Sequence, residues 1–338
     1  MLKPSLVYYV HHHGNGHIQR LSLIFKHLNS YFNIYFVCVS SQIERQLKTY
    51  GRPISRISNK WEGKYEKEID GFFPRTPIGT PSLNRAIEFL EILKKTDARF
   101  FYSDHSLELS ILARSAGVPV VMTRQHGKVK ECPMGKAALD CSDLLIAPYP
   151  KLRGDCTYAS EKTLFTGFFS KYSNICLKGV EQTEGVTILL GHESLLLEDI
   201  EEIADCIYPS QLFVVGSDQY KKKRSNITII GRVPCVASVI KTENVITAGG
   251  NNSLAELYAL NKKVIIAPEP RPFDEQLVKA QLLTRNCYAQ MKNVDEHSST
   301  WSQLLEQTNR TNKNNINNKF LNSNAPQQIA HLLREKYA

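Results

Sequence analysis

Short apolar runs and amphipathic stretches alternate along the 338 residues of the chain. Apolar runs at residues 6–10, 34–39, 100–103, 118–123, 144–147 and 163–165 predict strands. Between them apolar residues recur at helical spacing, as at Leu21, Ile24, Phe25 and Leu28. That pattern predicts helices over 18–28, 42–49, 82–95 and 107–116. After a polar segment at 167–184 the series restarts, with strands at 186–190, 211–215, 227–230, 244–247 and 263–267. Its helices fall at 196–206, 236–240, 254–260 and 274–283. Two βαβ series of comparable size predict an α/β protein with two Rossmann-like, doubly wound parallel-sheet domains, 1–168 and 180–320. Ligands in such sheets sit at the carboxyl ends of strands, which predicts a cleft faced by both domains. A helical pattern near the end, within 325–338, predicts a helix packing back on the N-terminal domain.

Two stretches break the alternation. Residues 54–80 are rich in glycine, proline and aromatics (Trp61, Tyr65, Phe72, Phe73) and have no clear period. A loop this long predicts an acceptor or membrane rim. Residues 308–324 are rich in asparagine and read as a flexible connection.

An apolar content of 42% and a charged content of 22% are those of a soluble globular protein. No apolar run is long enough to span a bilayer, and residues 1–4 lead into a strand without a secretory h-region. The eight cysteines are scattered, with no Cys-x-x-Cys pair, so neither a metal cluster nor a disulfide framework is indicated and a cytoplasmic location is expected. The net charge of +9 lies almost entirely in residues 1–165. A basic half suits an anionic membrane or an acidic substrate. No nucleic-acid partner is expected, because no RNP, zinc-finger or helix-turn-helix signature accompanies the charge.

Candidate chemistry gathers at two glycine loops. The strand ending at Thr247 runs into Gly249, Gly250, Asn251, Asn252 and Ser253 and then an amphipathic helix. The glycines let backbone amides approach an anion, Ser253 is placed to cap the helix, and the helix end favours a phosphate. Glu256 follows, placed to accept hydrogen bonds from ribose hydroxyls. The loop after the strand at 263–267 brings Glu275 and Gln276. Near the N-terminus, Gly14, Asn15, Gly16 and His17 stand between a strand and a helix. That turn is also compatible with a dinucleotide fingerprint, although the usual third glycine is missing.

Together these motifs resemble GT-B glycosyltransferases, and most nearly the MurG-type (family 28-like) enzymes that use UDP-sugars. The resemblance covers residues 5–290 and is strongest over 247–283. It implies that His17 is the active-site histidine and that Asp104, within Ser103-Asp104-His105, is its carboxylate partner. It places Gly191 on a loop contacting donor phosphate, although this chain has one glycine there where relatives have two or three. It makes Val233, beside Gly231 and Arg232, part of the loop that reads the base. Glu256 takes the place of the ribose-binding glutamate, and Glu275 and Gln276 that of the pair near the donor sugar.

An imidazole titrates near neutrality and suits a general base. A His17–Asp104 dyad would deprotonate the acceptor hydroxyl, with inversion at the anomeric carbon. The alternatives are that His17 caps its helix or contacts phosphate, and that Asp104 is the N-cap of the helix at Leu107. No Asp-x-Asp motif occurs, and the helix end at Gly249–Ser253 can stabilise the leaving diphosphate, so metal-independent transfer is expected with no cofactor beyond the UDP-sugar. The run His11-His12-His13 does not make a metal site, because neighbouring strand residues point to opposite faces. On the acceptor side the candidates are Asn15, His105, His126 and Lys128, with Glu108 and Arg124 also following strand ends. The run Lys221-Lys222-Lys223-Arg224 reads as surface charge.

The expected function is hexosyl or N-acetylhexosaminyl transfer to a glycan or lipid-linked acceptor in envelope or capsule polysaccharide synthesis. The enzyme would be cytoplasmic, with peripheral contact to the inner face of an anionic plasma membrane. A nucleotide-sugar hydrolase or epimerase shares this architecture, and one hydrolase group carries a Gly-x-Gly-His-Ile-x-Arg loop like residues 14–20. A non-catalytic donor-binding or membrane-recruiting subunit is the third reading.

Overall fold

The computed structural model describes residues 3–11, 16–62, 76–174, 182–191, 194–217, 220, 224–292, 300–310 and 320–338. The chain forms two compact units. One comprises Met1–Pro148, Cys156–Thr166 and Asn324–Ala338, the other Tyr149–Asp155 and Gly167–Ser323.

The first unit is built on seven strands: β1 (Ser5–Tyr9), β2 (Asn33–Cys38), β3 (Ile54–Arg56), β4 (Ala98–Ser103), β5 (Val120–Thr123), β6 (Leu144–Ala147) and β7 (Thr163–Phe165). Their order in the sheet is β3-β2-β1-β4-β5-β6-β7, and all pair in parallel. The crossovers carry α1 (Gly16–Tyr31), α2 (Ser41–Leu47), α3 (Thr80–Lys95), α4 (Leu107–Ser115) and α5 (Pro133–Cys141). Strands β5 and β6 are buried along their whole length. That is why they read as continuous apolar runs rather than alternating ones. Helix α1 buries Leu21, Ile24 and Leu28, each contributing roughly 1.5–3 kcal/mol through removal from water. Strand β1 lies between β2 and β4, so the chain winds outward in both directions from β1. The loops leaving β1 and β4 therefore emerge side by side, at the switch point where such sheets bind ligands.

The second unit repeats this plan with β8 (Gly185–Leu189), β9 (Gln211–Val215), β10 (Ile227–Ile230), β11 (Asn244–Thr247), β12 (Lys263–Ile266) and β13 (Gln290–Met291), in the order β10-β9-β8-β11-β12-β13. Its helices are α6 (Ile200–Ile207), α7 (Asn251–Ala259), α8 (Glu275–Arg285) and α9 (Trp301–Arg310). Ile188, Ile203, Leu212, Val214, Ile246, Ile265 and Trp301 form its core. Here β8 and β11 are the neighbours flanking the switch point.

Helix α10 (Ala325–Tyr337) lies in the first unit. It packs on α1, where Tyr31 Oη and His331 Nε2 are 3.1 Å apart, and Tyr337 stacks on Phe100 with ring centroids 4.5 Å apart.

The structure departs from the sequence expectations at several elements. Residues 236–240, expected as a helix, form only a short 3-10 turn at Val236–Ser238. The single helix expected over 196–206 is a 3-10 turn at Leu195–Leu197 followed by α6. Within the presumed long loop, Ile54–Arg56 pairs with β2 as an edge strand. Helices α5 and α9 and strand β13 were not foreseen. The tract at 308–324 overlaps α9 up to Arg310, and its far end is fixed at Phe320, whose ring stacks on Tyr288 at 4.1 Å.

Candidate active site

In the first unit, helix α1 starts at Gly16 and carries His17 in its first turn. Asp104 follows the last residue of β4, and its backbone N–H donates to the Tyr9 carbonyl at the end of β1 (3.2 Å). That bond fixes the two strand ends together. The His17 ring and the Asp104 carboxylate meet, with Nδ1 and Oδ2 2.8 Å apart. Asp104 is fully buried, whereas 12% of the His17 side chain is exposed. On the same face of α1, three residues on, Arg20 places its Nη2 3.5 Å from Asp104 Oδ1. Burial alone would raise the carboxyl pKa. The Arg20 guanidinium, the His17 imidazole and the Thr123 hydroxyl outweigh it and hold Asp104 well below the usual carboxylate range. An ionised carboxylate only accepts, so Nδ1 of His17 carries a hydrogen, and in the neutral imidazole Nε2 is left as an acceptor. Asp104 is not the N-cap of α4; that position is Ser106.

Of the acceptor-side candidates, His105 takes a left-handed backbone (φ +68) and sets its Nδ1 3.2 Å from the Thr123 carbonyl. His126 is buried and Lys128 exposed. Asn15, like His12, His13 and Gly14, lies outside the described residues. Two further candidates prove architectural. Arg124 is buried and donates to the carbonyls of Tyr158 (2.7 Å) and Cys156 (2.8 Å) and to the Thr163 hydroxyl (2.9 Å). Glu108 accepts from Arg85 and from Lys60, and Arg85 in turn reaches the Tyr9 hydroxyl, tying α3 and α4 to β1.

In the second unit, Gly249 takes φ +89, and a Cβ there would stand 2.7 Å from Cγ2 of Ile266. Only glycine fits that turn. Helix α7 opens at Asn251 with Gly250 as N-cap. Ser253, expected as the cap, instead lies in the first turn. Asn251, Asn252 and Ser253 thus form the first turn of α7, the end of a helix that favours an anion. Glu256, one turn on, stands 3.8 Å from Lys171 Nζ; burial raises its pKa and Lys171 opposes the rise. Lys171 Nζ also donates to the Pro234 carbonyl (2.8 Å), and the Tyr172 hydroxyl lies 3.4 Å from Cys235 Sγ. These contacts join the loop of half-buried Val233 to Glu256.

Gly191 is exposed after β8, and His192 and Glu193 lie outside the described residues. The next residue, Ser194, donates its hydroxyl to the buried Glu269 (2.5 Å), as does the N–H of Leu195 (2.9 Å). The N–H of Glu269 donates to the Gln276 side-chain carbonyl (2.9 Å). Phe273 (φ +63) and Asp274 (φ +52) turn the chain sharply, so that Glu275 and Gln276 open α8. Glu275 accepts from Lys279 Nζ at 3.0 Å.

Sequence reasoning missed Arg20, Lys171, Glu269 and Lys279. Arg20 and Lys279 had a signal, since they stand three and four residues after His17 and Glu275 on predicted helices. Glu269 stood in the polar loop after the strand at 263–267, but neither it nor Lys171 revealed its partner, which comes from a distant loop.

Residues 210–335 match the glycosyltransferase family 28 C-terminal domain. No curated protein sequence matches the chain. Among solved structures, the glycotransferase of kitacinnamycin is similar over 100% of both chains, with 11% identity and a TM-score of 0.69. Acinetobacter baumannii MurG is similar over 98% of this chain and 100% of its own, with 15% identity and a TM-score of 0.66. The spinosyn rhamnosyltransferase SpnG, solved in complex with thymidine diphosphate, covers 97% of this chain and 95% of its own, with 12% identity and a TM-score of 0.64. Residues 210–335 thus carry a family 28 glycosyltransferase C-terminal domain, and the chain as a whole has the two-unit GT-B fold of these glycosyltransferase structures.

Proposed function

We propose that the protein is an inverting, metal-independent transferase that moves a hexosyl or N-acetylhexosaminyl group from a UDP-sugar to a hydroxyl of a glycan or lipid-linked acceptor in envelope or capsule polysaccharide synthesis. The observation that carries this reading is the His17–Asp104 pair, 2.8 Å apart. Nε2 of His17 takes the proton of the acceptor hydroxyl, and the acceptor oxygen attacks the anomeric carbon. The bond from that carbon to the phosphate oxygen breaks, and the nucleoside diphosphate leaves with the electron pair. The leaving charge is met by the amides of Asn251, Asn252 and Ser253 and the end of α7. Glu256 accepts from the ribose, and Glu275 and Gln276 address the sugar. The thymidine diphosphate bound to SpnG supports a nucleoside diphosphate as the leaving group.

A peripheral membrane role is supported by the face around α3. Ile78, Leu83 and Ile87 are exposed there, and Lys94 and Lys95 close the helix. Among the described residues no helix is long and apolar enough to cross a membrane. Contact with an anionic bilayer through apolar side chains flanked by lysines fits that arrangement. Nucleotide-sugar hydrolysis is the second reading, favoured by the seating of Arg20, the last residue of the hydrolase-like loop, on Asp104.

The test is product analysis with a panel of UDP- and TDP-sugars, with and without glycan acceptors, in EDTA. Acceptor-dependent release of UDP supports transfer. Full-rate release of free sugar from donor alone supports the hydrolase and contradicts the transferase.

A further inference from the structure

Lys279 is fully buried, yet it carries an ammonium group. It sits in α8, four residues after Glu275, and its Nζ donates to Glu275 Oε1 (3.0 Å) and to the Gly249 carbonyl (3.0 Å). A lysine–glutamate pair at this helical spacing is worth only a few tenths of a kcal/mol on a surface. Burying the ammonium works against stability unless it satisfies something that an apolar side chain would leave unpaired. Here that something is the Gly249 carbonyl.

The geometry of the peptide unit gives that contact a consequence. In a trans peptide the C=O and the following N–H point in opposite directions. With the Gly249 oxygen pinned inward on Lys279, the N–H of Gly250 is turned the other way, at the head of the helix that begins with Asn251. Gly249 has no side chain to hold this orientation, and its φ of +89 is one glycine shares with other conformations. The ammonium does the holding. Through its second bond it also steadies Glu275, whose side chain is 21% exposed.

We infer that Lys279 is a positioning residue of the donor site, coupling the loop that receives the diphosphate to the carboxylate that addresses the sugar. This rests on the proposed placement of the donor at residues 249–256. It extends that reading to a residue that itself touches neither phosphate nor sugar.

Three variants test it. Lys279→Met removes both bonds; Lys279→Gln keeps an N–H donor for the Gly249 carbonyl without the charge; Glu275→Gln leaves the Gly249 contact in place. Amide hydrogen exchange of the segment 247–254 is followed in the free protein, and binding of UDP and UDP-N-acetylglucosamine is measured by calorimetry. Faster exchange in Lys279→Met is expected, with exchange near wild type in Lys279→Gln. Lys279→Met should weaken UDP by about tenfold, and UDP-N-acetylglucosamine by more, because it also releases Glu275. Lys279→Gln should recover most of that loss, and Glu275→Gln should weaken only the sugar-bearing ligand. Unchanged exchange in Lys279→Met overturns the inference whatever the ligands do, as does a Lys279→Gln variant that behaves like Lys279→Met. A wild-type protein that binds neither ligand, yet shows the expected exchange differences, overturns the donor placement and leaves the loop-holding role standing.

Discussion

His17 and Asp104 stand 87 positions apart in sequence, and their side chains meet at 2.8 Å. The sheet order explains this. Strands β1 and β4 are neighbours, so a residue opening the helix after β1 and one ending β4 arrive at the same edge. The Asp104 N–H on the Tyr9 carbonyl then sets their relative height.

Arg20 determines the charge on which this pair depends. Replacing it with methionine removes one of the three groups, with His17 and Thr123, that together outweigh burial at Asp104. The Asp104 pKa then rises, and the carboxylate is protonated at a higher pH. The acid limb of the kcat/KM profile should move to higher pH in Arg20→Met, and the protein should unfold at lower temperature, since a buried charge has lost a partner. A profile superimposable on wild type would show that Arg20 does not act on Asp104.

Acid stability follows from Asp104 together with Glu108. Burial raises the pKa of Glu108, but Arg85 and Lys60 lower it by more, so its folded-state value is also depressed. Groups of this kind bind protons more readily unfolded than folded. Their stabilisation is fully present above the ordinary carboxylate value of about 4 and is lost as the pH falls through their lowered values. Urea midpoints measured from pH 7 to 2.5 should therefore fall on the acid side. Glu108→Gln should flatten that fall while lowering stability at pH 7. An equally steep fall in Glu108→Gln would assign the acid sensitivity elsewhere.

Much of the fold was legible because parallel strands and amphipathic helices announce themselves by period. The elements that escaped are those whose pattern is short or whose partner is distant. Helix α5 spans only Pro133–Cys141 and contains Gly135, whose missing side chain lets the Val129 carbonyl pack against it. Edge strands β3 and β13 borrow their regularity from neighbours. At the site, the motif residues could be named because a glycine loop between strand and helix has few uses. Lys171 and Glu269 could not. Their meaning lies in contacts to Glu256 and Ser194 across more than seventy residues, and a side chain's partner through space leaves no mark on its own segment.

On the proposed donor placement, Glu256 gives nucleotide binding a pH dependence of its own. Burial raises its pKa, and Lys171 holds the rise in check. Only the ionised carboxylate accepts from both ribose hydroxyls. UDP affinity should decline as the pH drops from 7 to 5, and Lys171→Met should shift that decline to higher pH. Calorimetric titration at pH 7, 6 and 5 measures it. A wild-type affinity that does not vary with pH would remove Glu256 from the ribose contact.

The central claim, that His17 held by Asp104 is the base for sugar transfer, is tested most directly by steady-state transfer kinetics of His17→Ala and Asp104→Asn beside UDP binding by the same proteins. The expected result is a loss of kcat of about 10²–10⁴-fold in His17→Ala and a substantial loss in Asp104→Asn, with UDP affinity unchanged in both. Turnover near the wild-type rate in both variants would contradict it.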